Sequence, residues 1–231
     1  MNDGHPRIGA VIMSSIDDAL ALSKKNIQPA GIAIVLAALL GVLFVTTRSV
    51  TSVTFVLGED ICIIAAVVVE FYAIAAAVRT MNPDYRMGVG QFFGILGYSL
   101  LVGLLTMVAA LFLIIPAFWV GVKLQLTPYT YAVTNGESDA LGKTWNMTTG
   151  YYWETIGFFI VVAIVAGIVA ILGELLSLAA YYGAPVATIV AFPVAAALFV
   201  WAIHFEMLAY IRWTASLLQR VAPVESPAVT A

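Results

Sequence analysis

The sequence predicts an all-α, polytopic integral membrane protein with about six transmembrane helices, and three observations predict it. Hydrophobic residues make up 62% of the 231-residue chain and charged residues only 10%, whereas a soluble domain carries about 25% charged residues. The mean hydropathy is +1.02, so the apolar side chains have nowhere to go except lipid. The apolar residues also cluster in runs of about 20, enough to cross ~30 Å of hydrocarbon at ~1.5 Å per residue.

Six such runs fall at about 29–47, 61–79, 91–114, 117–134, 155–177 and 186–210, within a transmembrane domain over 29–213. The third and fourth are nearly continuous and too long for one crossing. Pro116 is the expected point of reversal, because proline lacks the amide hydrogen a continuing helix needs. The amino-terminal segment 1–28 has mixed charges and no signal-peptide pattern. It is expected to be cytoplasmic and amphipathic, with a helix over 14–25, Ser15 as N-cap and Asp18 in the third helical position. The Pro- and Ala-rich tail, 214–231, is expected to be cytoplasmic and disordered.

A second short helix is expected over 138–149, with Ser138 as N-cap and Gly150 placed to end it. Leu141 and Trp145 share one of its faces, so it reads as an interfacial helix. Trp145, Tyr151, Tyr152 and Trp153 are candidate anchors in an aromatic belt at that boundary. Asp18-Ala19-Leu20 and Asp139-Ala140-Leu141 open the two short helices and hint at an internal repeat.

Lys and Arg placement sets the orientation. With the amino terminus inside, Arg7, Lys24, Lys25, Arg79, Arg86, Lys143, Arg212 and Arg220 all fall on the inner side, and Arg48 alone lies in an outer loop. The positive-inside rule then puts both termini in the cytoplasm, across the cell inner (cytoplasmic) membrane. A formal net charge of -3 offers no basic stripe for phosphates, so no nucleic-acid partner is expected. The single cysteine, Cys62, permits no intrachain disulfide and no multi-cysteine metal site.

Small and polar residues mark the faces on which membrane helices associate. Such faces read as Ala66, Glu70, Ala73 and Ala77 on the second span, and Ser99, Gly103, Thr106 and Ala110 on the third, which also carries a Gly90/Gly94 pair. The fourth span offers Lys123, Thr127, Thr130 and Thr134, and the fifth Ala163, Gly167, Ala170 and Glu174. Ionisable residues within spans are the functional candidates, because an unpaired charge there is costly. Glu70 and Lys123 lie at similar depths and form a candidate pair, structural in one reading and part of an ion relay in another. Glu174 lies near an outer end. His204 and Glu206 lie toward the inner end of the sixth span and point to opposite sides of it. Pro193 should kink that span.

No nucleophile elbow, phosphate-binding loop or metal-binding helix motif is present, and no cofactor, metal or catalytic residue is expected. Asn146-Met147-Thr148 matches the glycosylation triplet by coincidence, given its expected cytoplasmic side.

The stretch from Ile114 to about Ile160, IIPAFWVGVKLQLTPYTYAVTNGESDALGKTWNMTTGYYWETIGFFI, resembles a known membrane domain. That domain lies at the amino end of some bacterial glycerophosphoryl diester phosphodiesterases, and it resembles related six-span bacterial membrane proteins as well. Pro116, Lys123, Ala140-Leu141, Thr144-Trp145 and Gly150 stand at the family's marked positions. Ala117 replaces the usual glycine and Thr144 the usual serine. The carboxy-terminal HFEMLAYIRW is similar to the family's closing helix. The resemblance implies the six-span fold but no phosphodiesterase activity, because the soluble catalytic domain is missing.

These features lead us to expect a non-enzymatic accessory or assembly subunit of a membrane complex. Its partners would be membrane lipids and another membrane protein or a second copy of itself, with contacts through Trp119, Trp201 or Trp213. The alternatives are a transporter or channel component using the Glu70/Lys123 region, and a lipid-handling enzyme with Glu70, Glu174 or Glu206 as base.

Overall fold

A computed structural model of the chain describes residues 8–25, 52–112, 114–182 and 185–221. All regular structure among these residues is helical. In chain order the helices are α1 (Ile8–Lys25), α2 (Ser52–Met81), α3 (Val89–Phe112), α4 (Ile114–Leu124), α5 (Thr127–Val133), α6 (Ala140–Gly150), α7 (Tyr152–Tyr182) and α8 (Pro185–Val221). The expected first span and Arg48 lie outside the described residues, as do the side chains of Cys62 and Glu174.

Three stretches are long and apolar enough to cross a membrane: Val89–Phe112, Tyr152–Gly173 and Pro193–Val221. At 24, 22 and 29 residues they extend about 36, 33 and 43 Å at ~1.5 Å per residue, more than a hydrocarbon core. The protein is therefore membrane-embedded, and its regular structure among the described residues is wholly helical. On α3 the surrounding lipid would meet Phe93, Leu100, Leu104, Met107, Leu111 and Phe112, all exposed, while Ile95 and Val102 are buried.

The chain divides into two compact units. The first comprises the described parts of Met1–Val11, Arg86–Phe159 and Tyr210–Ala231, and the second those of Ile12–Tyr85 and Ile160–Ala209.

In the first unit α3 packs on α4 and α5, and α6 packs on both of these. The start of α3 is capped by its own glutamine. Gly88 N–H donates to Gln91 Oε1 at 3.1 Å, the backward half of a capping box. The same amide's Nε2 donates to Asn135 Oδ1 at 2.6 Å, tying the cap to the turn after α5. That turn is a Schellman motif. Gly136 N–H donates to Tyr131 O at 2.9 Å and Asn135 N–H to Ala132 O at 3.3 Å, with φ of 58° at Asn135 and 92° at Gly136. Tyr98 donates to Ser138 O at 2.8 Å, and its ring lies 5.1 Å from that of Tyr131. Tyr131 in turn covers Gly94 so closely that a Cβ there would fall within the ring.

An aromatic cluster joins α5, α7 and α8 in this unit. Tyr129 and Phe158 contact Tyr210 at 4.9 and 5.9 Å. Phe158 stacks on Trp213 with ring centroids 4.7 Å apart and planes 4° from parallel. In the second unit Val69, Val200 and Ile203 pack together, and Ala73 and Ala77 are buried as the small face of α2 predicts.

Several expectations need correction. The first helix starts at Ile8, not near Ser15. Ile12, Ser15 and Ala19 are buried at helical spacing, so the stripe that selects the helix begins before the supposed cap. The expected fourth span, 117–134, is two short helices with a turn at 125–126. At 11 residues, α4 covers about 16 Å. Pro116 lies just after the interruption between α3 and α4, in the first turn of α4, where proline is tolerated; the turn at 125–126 is a second break. Asp139, not Ser138, occupies the N-cap position of α6, without a side-chain cap bond. The α6 helix is no bare surface helix, because Ala140, Thr144, Met147 and Thr148 form a buried face. On α3 the expected small face is exposed at Ser99, Gly103 and Ala110. Of the expected small residues, Thr106 and Gly94 do make contact, with Gly121 and Tyr131, and Tyr98 adds a second contact to Tyr131. Trp213 is 0% exposed and so is not a lipid-facing contact.

The Gly94–Tyr131 contact makes a prediction. Gly94→Ala in the full chain in detergent should lower the thermal midpoint, at a cost of about 1–3 kcal/mol for overpacking. Adding Tyr131→Leu, which clears the space, should recover part of the loss. An unchanged midpoint for the single variant would show that the ring does not sit there.

Candidate functional site

The break between α4 and α5 follows from Pro128. In an unbroken helix residue 128 would donate to the carbonyl of Leu124, and proline has no amide hydrogen. Thr127 fills the gap, its hydroxyl donating to Leu124 O at 2.7 Å. Thr148, from α6, donates toward Lys123 O at 3.0 Å and toward Thr144 O at 2.7 Å, sharing one proton between them. Gln125 N–H serves Gly121 O at 2.8 Å and Thr130 N–H serves Leu126 O at 2.8 Å. A helix end in an apolar setting leaves several carbonyls unbonded, and threonine hydroxyls supply part of what they need.

Thr130 and Thr144 extend this network across the helix pair. Their hydroxyl oxygens are 2.8 Å apart, while Thr130 Oγ1 is 3.0 Å from Leu126 O and Thr144 Oγ1 is 2.7 Å from Ala140 O. Each hydroxyl has one proton, so two of these three bonds form at a time. Thr127, Thr130, Thr144 and Thr148 are all fully buried.

Lys123 lies in the last turn of α4 beside this network and is 4% exposed. Its ammonium donates to Thr149 Oγ1 and lies 5.1 Å from the Trp119 ring centre and 4.9 Å from that of Trp145. The two indoles meet edge to face at 5.0 Å. Among the described residues of its unit, the ammonium thus meets a hydroxyl and two π-faces and no carboxylate. Each indole contributes about 0.5–2 kcal/mol of cation–π attraction. Chemically, the arrangement fixes a cation and latches α4 to α6.

Glu70 belongs to the second unit, and so is described apart from Lys123. It is half-buried on α2, and burial and then the carboxyl group of Glu206, on α8, are what act on it. His204 is fully buried, and its Nδ1–H donates to Val200 O at 2.8 Å, because a carbonyl can only accept. No group of three His, Cys, Asp or Glu side chains suited to a metal ion occurs among the described residues. Trp201 stacks on Phe205 at 5.7 Å.

The anchor residues divide by surroundings. Trp145 is taken up by Lys123. Tyr151 carries the Arg220 guanidinium over its ring at 5.5 Å. Tyr152 meets Trp153 edge to face at 5.5 Å, and Trp153 is 77% exposed. Glu137 and Lys143 form an ion pair at the surface, of the kind worth little.

Reading the sequence by depth alone misses both the indole cage and the Glu70–Glu206 proximity. The cage does have a local signal: Trp119 and Lys123 are four residues apart, as are Trp145 and Thr149, and such pairs share a helix face. No family model matches the chain, and neither a curated protein nor a solved structure is found to be similar to it.

Two measurements test this site. Thr127→Val should destabilise the chain in detergent by about 1–3 kcal/mol, the cost of an unsatisfied buried carbonyl, whereas Thr127→Ser should be nearly neutral. A double-mutant cycle of Lys123→Met and Trp145→Leu should return a coupling of roughly 0.5–2 kcal/mol. Simple additivity would mean that the indole does not hold the ammonium.

Proposed function

We propose that this chain is a non-enzymatic accessory or assembly subunit of a membrane complex, held in the inner membrane by about six spans with both termini in the cytoplasm. The observation that carries this reading is the environment of Lys123. The most conspicuous intramembrane cation is committed to two indoles and a hydroxyl, an arrangement that fixes helix register and leaves it no role in moving a charge. The threonine network around it likewise serves backbone carbonyls. The resemblance to the phosphodiesterase-linked membrane domain is consistent with such a role, since that domain accompanies a separate unit.

A transport component is the second reading, favoured by one observation: Glu70 and Glu206 are acidic neighbours on different helices. Intramembrane carboxylates of this kind mark proton and cation paths in transporters.

Purification of the tagged chain from its native membranes in mild detergent, with mass spectrometry of what accompanies it, separates the two. The accessory reading expects a stoichiometric membrane-protein partner that survives Lys123→Met. A chain that purifies alone, and whose Glu70→Gln and Glu206→Gln variants lose a measurable ion flux, would overturn it.

A further inference from the structure

Two hydrocarbon-length stretches have ends in the first unit: one begins at Tyr152 and the other finishes at Val221. Arg220 lies over the Tyr151 ring, which puts those two ends at one level. Trp153, the most exposed of the aromatic residues there, stands at the same level, braced edge-on by Tyr152. Indole rings prefer the headgroup zone of a bilayer, so this level is a membrane boundary.

The Arg220 guanidinium lies over the phenol ring, 5.5 Å from its centre, and no ion pair joins it to a carboxylate among the described residues. A ring takes none of the N–H donors that lie in the plane of a guanidinium, and those donors match two oxygens of a phosphate. The amino-terminal end of α7, a helix of 31 residues, adds partial positive charge at the same place. Glu154 is the acidic residue of that first turn and subtracts from it. We infer that the Tyr151–Arg220 junction binds the phosphate of an anionic phospholipid, with Trp153 seated beside it in the headgroup layer. A lipid is the occupant, not a free anion, because the guanidinium sits where two membrane-length helices end and beside an exposed indole. The inference rests on the chain being embedded in a membrane and is independent of whether it is an accessory subunit.

The test is native mass spectrometry of the purified full chain after exposure to equal amounts of phosphatidylglycerol and phosphatidylcholine. The wild type should retain phosphatidylglycerol by about fivefold over phosphatidylcholine, the factor corresponding to ~1 kcal/mol per arginine at a membrane surface. Arg220→Gln should bring the ratio close to one, and Arg220→Lys should keep part of the preference. Tyr151→Leu retains the charge but removes the ring that positions it, and should also lower the ratio. It decides the matter if Arg220→Gln fails to hold its helical circular dichroism. An unchanged ratio in folded Arg220→Gln, or in Tyr151→Leu when that variant decides, would overturn the inference. So would displacement of the lipid by inorganic phosphate beyond that caused by chloride of equal ionic strength, which would mark a free-anion site. Purification without any protein partner would bear on the accessory reading and leave this one untouched.

Discussion

The amide hydrogen that Pro128 lacks shapes much of the first unit. Without it Leu124 O loses its helical donor, the fourth apolar run divides into α4 and α5, and carbonyls near Leu124 turn to side chains. The chain meets this by placing threonines where hydroxyls reach them, one from the next residue and one from α6. Recruiting Thr148 pulls α6 against the break, and that brings Trp145 and Thr149 to Lys123. The lysine's setting is thus a consequence of how a helix break is satisfied.

The same logic explains why Lys123 and Glu70, the two ionisable groups that the sequence singles out, have such different surroundings. Lys123 sits at a helix terminus, where a cation is favoured by the negative end of the helix, and where indoles can approach from two helices. Glu70 lies in the middle of a continuous helix, α2, with no helix end to compensate it, and its charged neighbour comes from α8. One group is stabilised by neutral partners in its own unit. The other is half-buried on its helix, with a second carboxyl group, that of Glu206, in its surroundings.

Much of the architecture was legible because the bilayer leaves so few options. Apolar runs near Val89–Phe112, Tyr152–Gly173 and Pro193–Val221 could be read directly, and Lys123, Thr127 and Thr130 fell on a buried face as their spacing implied. The break was missed because Pro116 and Pro128 look alike in a hydropathy profile. Only the position of each in its helix separates them, the first in an opening turn and the second where an amide hydrogen is needed. The α3 face was legible only in part, at Gly94 and Thr106, because exposed small residues and buried ones have the same composition. What selected Gly94 over Gly103 was a tyrosine 37 positions later in the chain, Tyr131, and no local pattern reports that. The helix over 14–25 began early because an apolar stripe outweighs a cap residue that merely stands in a favourable place.

The turn that closes α5 also bears on how the chain ages. An Asn-Gly step is where polypeptides lose ammonia, as the glycine amide nitrogen attacks the asparagine side-chain carbonyl and closes a succinimide ring. Here the Gly136 N–H is held by Tyr131 O and the Asn135 side chain is held by Gln91, so the nucleophile is engaged and the side chain is fixed to another helix. The backbone at that step cannot adopt the geometry of ring closure without releasing the end of α5 and the start of α3 together. Chemical durability at Asn135 is therefore lent by the tertiary structure, and it lasts only as long as that corner stays folded.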